Sequence, residues 1–300
     1  MKVLVTGSNG MVGREVVTRL TGAGHYVVRL VRSKPDRARG DAEWDPVTGR
    51  IERAALKGIE AVVHLAGENI LGLWTAGKKE RIYKSRVVST EYLCEALASL
   101  TPKPKVLVSA SAIGYYGDQG DTWLKEGAPI GSGFLATLCR EWEDATRLAV
   151  NAGIRVVNAR IGLVLSPRGG ALAGMLPAFK LGIGGPIGLG RHYMSWISQD
   201  DLVEGILFAL ENPDLEGPVN FTAPEPVTNR EFSKTLGRVL HRPAILPVPS
   251  ILLKLLPGRM AQETLLASAR VAPEKLQRAG FKFGHGRLED ALADLVGPVA

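Results

Sequence analysis

"LVTGSNGMVG", residues 4 to 13, places Gly7, Gly10 and Gly13 three residues apart behind an apolar run. Val3 to Thr6 reads as a short buried strand and Gly13 to Ala23 has helical spacing, so the glycines fill the turn between them. "AGH" at 23 to 25 ends that helix, and Tyr26 to Val31 is a second strand, completing a βαβ unit. In such a turn Gly7 allows the tight bend, Gly10 lets a pyrophosphate approach the backbone, and Gly13 permits close helix–sheet packing. The helix start adds free N–H groups and a partial positive charge. Gly7, Ser8, Asn9, Gly10, Met11, Val12 and Gly13 are therefore expected to hold a dinucleotide. The plainer alternative is a glycine-rich turn with no ligand, which the strand–loop–helix–strand context disfavours.

The end of the second strand discriminates between cofactors. NAD-preferring folds carry a carboxylate there, about twenty residues on, for the ribose hydroxyls. Here the stretch reads "RLVRSKP", with Arg32, Ser33 and Lys34 and no acid before Asp36. A guanidinium grips a 2′-phosphate that a carboxylate would repel, so the expected cofactor is NADP(H), with Arg32 and Ser33 beside it. Arg32 as an ordinary solvated charge is the competing account.

Further along, "AVVHLAG" (61–67) and "KVLVSASA" (105–112) are strands with a helix expected between them at 78–100. A helix over 133–153 and a strand over 154–165 follow. This alternation predicts an α/β, Rossmann-like, doubly wound parallel sheet. After Ser166-Pro167 the glycine-rich stretches "RGGALAGM" and "LGIGGPIGLG" suit loops. The expected organisation is a nucleotide-binding core at 1–165 and a smaller C-terminal substrate lobe at 166–300.

With 45% hydrophobic and 22% charged residues the chain is a globular one. Its charge of +7 comes from 37 basic against 30 acidic residues, scattered rather than run together with aromatics. An anionic small molecule is thus a better partner than a nucleic acid, and none of the latter is expected. Apolar runs such as "ILLKLL" (251–256) are too short to cross a bilayer, so no membrane partner is expected. Two cysteines, and strand residues following directly on Met1, suit a reducing, cytoplasmic setting. Neither the cysteines nor the scattered histidines fall at metal-ligand spacing, and no metal is expected.

The chain resembles the extended short-chain dehydrogenase/reductase superfamily, in its nucleoside-diphosphate-sugar epimerase-like branch. "TGSNGMVG" is similar to its first turn and "VVHLAG" to its fourth-strand motif, where Leu65, Ala66 and Gly67 would line the adenosine ribose. "SASAIGYYG" (109–117) is similar to the strand that carries the catalytic Ser or Thr. "WTAGKKERIYKSRVVST", "GFLATLCREWE" and "GPVNFTAPEPVTNREFSKTLGRVLHRPA" resemble one subfamily of uncharacterised epimerase-like proteins, some labelled cell division inhibitor. So does the segment at about 247–296, which resembles a small domain found with it. The resemblance places Ser109, Val164 and Arg86 beside the cofactor, with Arg86 reaching its phosphates. It also implies a possible homodimer through the helices at 78–100 and 133–150.

The superfamily's proton donor is a Tyr with a Lys four residues later. Counting back from Glu143, those positions fall on Leu135 and Cys139, neither of which can do that work. The resemblance offers Ser111 to orient a carbonyl and Tyr116 as a candidate acid; alternatively Tyr115 and Tyr116 pack the pocket mouth. Cys139 is either a nucleophile or, as a helix-interior thiol, core. Arg191, His192 and Trp196 would line the substrate side, and Glu68 and Asn69 either serve the site or form a turn. Two functions follow: an epimerase or oxidoreductase acting on a small, unidentified carbonyl or sugar-like substrate, or a non-catalytic NADP-binding regulatory or redox-sensing protein, linked by that label to cell division.

Overall fold

The computed structural model describes residues 1–247 and 260–297. Its strands in chain order are β1 (Lys2–Thr6), β2 (Tyr26–Val31), β3 (Asp41–Asp45), β4 (Arg50–Ile51), β5 (Ala61–His64), β6 (Val106–Ala112), β7 (Trp123–Leu124), β8 (Arg155–Ile161), β9 (Leu163–Leu165), β10 (Tyr193–Met194), β11 (Trp196–Ser198), β12 (Gly217–Phe221), β13 (Val227–Thr228) and β14 (Arg270–Val271). Eight of them form one sheet in the order β12-β8-β6-β5-β1-β2-β3-β4. All neighbours run parallel except the final β3–β4 pair. The strand order reverses between β1 and β5, which opens a crevice at their carboxyl ends.

Alternation along the strands divides the core between the two faces. Val3, Val5, Val63, Val108 and Val157 face α1 (Met11–Gly22) and the later helix Gln199–Glu211. Leu4, Val62, Leu107 and Val156 face the opposite layer, with Leu93, Leu97 and Ala149. The helices of that layer depart from expectation in an informative way. The single helix expected over 78–100 is two, α2 (Ala76–Lys84) and α3 (Val87–Ala98). Ser85 breaks it: its hydroxyl donates to the Ile82 carbonyl and accepts the Glu68 N–H, local bonds that compete with the helical ladder. Arg86 then turns inward, donating from Nη1 to the Glu68 carbonyl at 2.9 Å. The helix expected over 133–153 likewise splits into α4 (Phe134–Ala145) and α5 (Arg147–Asn151), where the Thr146 hydroxyl bonds the Glu143 carbonyl at 2.7 Å.

The strand expected over 154–165 ends at Ile161. Ser195 O lies 2.6 Å from where a Gly162 Cβ would stand, so the chain swings out there and β9 pairs with β11 instead. The parallel sheet therefore does not finish at residue 165, as the division at 165/166 supposed: β12 adds its last strand, Val219 and Phe221 both fully buried. Beyond β9 come α6 (Gly170–Lys180), α7 (Gln199–Glu211), α8 (Asn229–Val239), α9 (Met260–Thr264), α10 (Glu274–Arg278) and α11 (Leu288–Val296). α6, α8 and α11 build a separate apolar cluster around Trp196 and Phe232. The C-terminal segment is stitched back to the core by β14 on β7 and by the buried Asp201 carboxylate, which accepts the Gly284 and His285 N–H groups. The apolar run 251–256 lies outside the described residues. Among the described residues no helix is long and apolar enough to cross a membrane.

A buried polar chain runs through the layers beneath the crevice. The Leu65 and Ala66 N–H groups donate to Thr6 Oγ1, which donates to His64 Nδ1 at 2.7 Å. His64 Nε2 then donates to Thr90 Oγ1 at 2.9 Å, which also accepts Trp142 Nε1 and donates to the Arg86 carbonyl. This run of donors requires the neutral Nε2–H tautomer. Burial pushes the His64 pKa down to about 4. Since the unfolded ring titrates near 6.5, the unfolded chain binds the extra proton between these values, and stability falls as pH drops through that window. Denaturant titrations from pH 7 to 4 should show a loss approaching 3 kcal/mol from this residue, and His64→Gln should flatten that slope.

Candidate functional site

The glycine loop is shaped by backbone meeting backbone. Gly7 sits at φ +68°, and a Cβ on it would lie 2.7 Å from the Leu65 carbonyl. A Cβ on Gly13 would overlap the Gly7 carbonyl oxygen outright. Gly10 differs: its N–H donates to Gly7 O at 2.9 Å, and its missing Cβ would meet no other atom than that oxygen, at 3.2 Å. Two glycines thus serve the protein's own closure and the exposed third leaves its outer face clear. α1 starts immediately beyond, with no side-chain cap on Gly10 and no acid in the first turn, so the first amides of Met11, Val12 and Gly13 keep their attraction for an anion. Across the crevice, Gly169 and Gly170 pack on Met11, which brings the start of α6 over the loop, with the half-buried Val164 beside it.

The loop is clamped by a residue that the sequence reading passed over. Arg29, in the middle of β2 and 5% exposed, donates from Nη2 to Asn9 Oδ1 at 2.9 Å and from Nε to Ser8 Oγ at 3.3 Å, while Nε lies 3.2 Å from Asp41 Oδ1. The Ser8 and Asn9 side chains are therefore committed to the protein, and only their backbone remains for a ligand. The signal was present: a cation inside the apolar run "YVVRLV" demands a buried partner. Arg32 and Ser33 stand exposed at the end of the same strand. Asp36, the first acid beyond them, accepts the Ala38 N–H and is occupied as a cap.

On the facing wall Leu65 and Ala66 are half-buried and Gly67 is exposed. The Glu68 carboxyl is held below its ordinary range first by a hydrogen bond from Lys78, then by the charges of Lys78, Arg81 and Arg32. Arg32, just beyond β2, and Glu68, after β5, therefore lie within electrostatic reach of each other across the crevice. Arg86 lies against Gly67, with its guanidinium 5.1 Å from the centre of the Trp142 ring. Asn69 accepts the Leu71 N–H and is a turn former. Ser109 is fully buried, its hydroxyl 3.5 Å from Ala110 O, so its side chain does not face the crevice.

The two residues expected to be catalytic are otherwise engaged. Ser111, 3% exposed, donates its hydroxyl to Glu143 Oε1 at 2.7 Å. Glu143 is gripped bidentately by Arg160, from Nε and Nη2, each at 2.8 Å. Arg160 Nη1 donates to the Tyr116 hydroxyl at 3.0 Å, which passes its own proton to Asn220 Oδ1 at 2.7 Å. Tyr116 is fully buried, and burial raises its pKa. It packs inward and is no proton donor to a bound substrate, while the Ser111 proton is directed at Glu143 rather than at a carbonyl. Cys139 is core as well, its thiol pushed up to about 12 by burial. Trp196 is fully buried in the core, its Nε1 donating to the Glu225 carbonyl, His192 is half-buried, and Arg191 is exposed.

Beside these residues an open cavity of about 380 Å³ lies at the end of β6, lined by Gly114, Leu135, Ser132, Asp118, Gln262 and Glu263 among others. Leu135, at the position of the superfamily tyrosine, has its side chain against Gly114.

Two outcomes follow. Truncating Arg29 (Arg29→Met) leaves Asp41 buried without its cation and should cost about 3–5 kcal/mol in denaturant unfolding. With thiols held near pKa 12, neither Cys94 nor Cys139 should react with a thiol reagent at pH 8 until the chain is unfolded.

With this geometry in hand, comparison with known proteins is direct. Residues 3–221 match the NAD dependent epimerase/dehydratase family, and residues 248–295 match a domain of unknown function, DUF1731. The epimerase family protein Mb2239 of Mycobacterium bovis is 43% identical over 291 residues, covering 97% of this chain and 96% of that one. The chloroplastic SDR39U1 homolog of Arabidopsis thaliana is 39% identical over 307 residues, covering 97% and 86%. The crystal structure of the human epimerase family protein SDR39U1 (isoform 2) with NADPH superposes with a TM-score of 0.90 at 33% identity, covering 98% of this chain and 99% of that one. A glycine loop closed on itself, an open helix start and a switch point between β1 and β5 are thus the frame of a chain that belongs to the NAD dependent epimerase/dehydratase family.

Proposed function

We propose that this chain binds NADP(H) along the crevice between β1 and β5 and acts on a small carbonyl or sugar-like substrate, by a mechanism that dispenses with the Tyr-x-x-x-Lys pair. The observation that carries the proposal is the cradle at Gly10. A Cβ there would crowd only the Gly7 carbonyl oxygen, at 3.2 Å, and otherwise meet open space, while the uncapped start of α1 points its amides into the same space. That fits a pyrophosphate. The human relative crystallised with NADPH supports the same cofactor.

In this reading Gly7 to Gly13 hold the pyrophosphate through backbone N–H groups, with Arg29 fixing the loop from below. Arg32 and Ser33 receive the 2′-phosphate at the end of β2, where Glu68 is paired with Lys78 and Asp36 accepts the Ala38 N–H. Leu65, Ala66 and Gly67 form the wall for the adenosine ribose, and Arg86 supplies a cation from the α3 start. When bound, the nicotinamide supplies hydride exchange at its C4. Val164 and the Gly169–Gly170 turn bring the lobe over the loop and limit water there. Ser111 acts as a positioning residue in this arrangement, holding Glu143 and through it Arg160.

A second reading, a non-catalytic NADP(H)-binding regulator, draws on the hydroxyls of Ser111 and Tyr116 both being spent inside the protein. The two readings part on substrate-dependent change in NADPH absorbance across aldehydes, ketones and nucleotide sugars: turnover of any class supports the enzyme, and none across all of them supports the regulator. Both require the cofactor. Titration calorimetry should show NADPH binding tighter than NADH, and Arg32→Glu should weaken NADPH by about tenfold or more, equivalent to about 1.4 kcal/mol, while leaving NADH little changed. No heat with either NADPH or NADP would overturn the assignment.

A further inference from the structure

The cavity at the end of β6 has a composition that speaks to its ligand. Three of its lining residues, Gln262, Glu263 and Ala267, come from the C-terminal segment that matches DUF1731, and the rest come from the segment after β6, the loop before α4 and the first turn of α4. Glu263 is fixed in it: its Oε2 accepts the Leu135 N–H at 2.8 Å. The carboxyl also lies 2.9 Å from where a Gly133 Cβ would stand, and Gly133 at φ +107° is in the region that favours glycine. The first turn of the twelve-residue α4, with no cap from its own sequence, is thus filled by a carboxylate from the C-terminal segment. Asp118 adds a second carboxylate, which accepts the Ser268 and Gly120 N–H groups through Oδ1. Among the described residues no lysine, arginine or histidine lines the cavity.

A phosphate in a protein pocket is held by guanidinium, ammonium or an open helix start. Among its described lining residues this cavity offers none of the first two, and the chain's own Glu263 occupies the third. A nucleoside diphosphate would bring its charge against two carboxylates, whereas hydroxyl groups would find two strong acceptors there. At about 380 Å³ the cavity also stands near the small end of ligand pockets, which span about 300–1,000 Å³. Resting on the NADP(H)-binding function above, we infer that this cavity is the substrate site, that Glu263 of the C-terminal segment is its selectivity residue, and that it takes a small phosphate-free hydroxy-carbonyl compound and excludes nucleoside diphosphate sugars. Glu263 lies beside Leu135, where the superfamily places its tyrosine, so the C-terminal segment puts a polar group back into a corner that α4 has made apolar.

The test uses the full chain saturated with NADPH and two matched pairs of probes: glyceraldehyde against glyceraldehyde 3-phosphate, and glucose against UDP-glucose. Ligand-observed NMR titration gives each affinity, and NADPH affinity is measured separately by calorimetry, so that loss of cofactor binding marks failure of the functional assignment and not of this inference. The phosphate-free member of at least one pair should bind about tenfold tighter than its phosphorylated counterpart. Glu263→Gln keeps the acceptor for the Leu135 N–H but removes the charge, and should reduce that preference to under about threefold with NADPH affinity unchanged. Asp118→Asn should move it in the same direction, giving a second readout if the first variant folds poorly. The inference is overturned if the phosphorylated member of each pair binds as well as or better than the free one, if neither pair binds at all, or if Glu263→Gln leaves the preference intact.

Discussion

The contact on which the rest of the architecture depends is the one between Gly13 and the carbonyl of Gly7. Without side chains at either position, α1 can lie directly on the end of β1, and the first turn of the helix faces the crevice rather than a neighbouring strand. Everything nearby serves to hold that contact at fixed geometry. Arg29 ties the loop to β2 and, through Asp41, to the start of β3; Thr6 ties the end of β1 to the Leu65–Ala66 turn after β5. The two walls of the crevice are thus anchored by side chains buried below it, and the surface above stays free for a ligand. This division between a locked underside and an open top is what lets a loop bind an anion without ordering it first.

A second buried network governs the other end of the crevice. Arg160 joins Glu143 of α4 to Tyr116 and Glu126, and Ser111 closes the ring from β6. The guanidinium also lies 3.5 Å from the centre of the Tyr115 ring, which packs it on its remaining face. In the superfamily this region performs proton transfer; here its hydroxyls and charges are turned on one another. Such a satisfied charge cluster is rigid, and removing either member would strand the other in a low-dielectric interior. The open cavity bounded by α4 and the C-terminal segment lies outside this network.

Much of this was legible in the sequence, for identifiable reasons. The β1–α1–β2 unit and the strands β5 and β6 announce themselves by period and by glycine spacing, because they are local. Gly7, Gly10 and Gly13 fall as expected, and the family resemblance carried by "TGSNGMVG" and "VVHLAG" matches the family found. The losses are the non-local pairings and the side-chain bonds that interrupt a helix. β12 is short and becomes a strand only by pairing with β8. The breaks at Ser85 and Thr146 arise from side-chain bonds to carbonyls three residues back, which helical periodicity does not register. Ser111 and Tyr116 sit near the right strand end, but their availability is decided by Arg160, seventeen residues from its partner Glu143 and on a different element. The Arg29 clamp could have been found, since a lone cation in an apolar strand has to be neutralised somewhere.

The pairing of β12 with β8 has a bearing on how this chain can be cut and shared. Because the final parallel strand is drawn from residues 217–221, the nucleotide-binding half cannot be excised at the glycine-rich boundary near 166. A fragment ending there would leave the backbone of Arg155–Ile161 as a bare strand margin, the kind of template on which chains add to one another. The polypeptide from β9 to β12 is therefore part of the sheet's seal, and any gene fusion or loop transplant that respects the molecule must place its joints after Phe221.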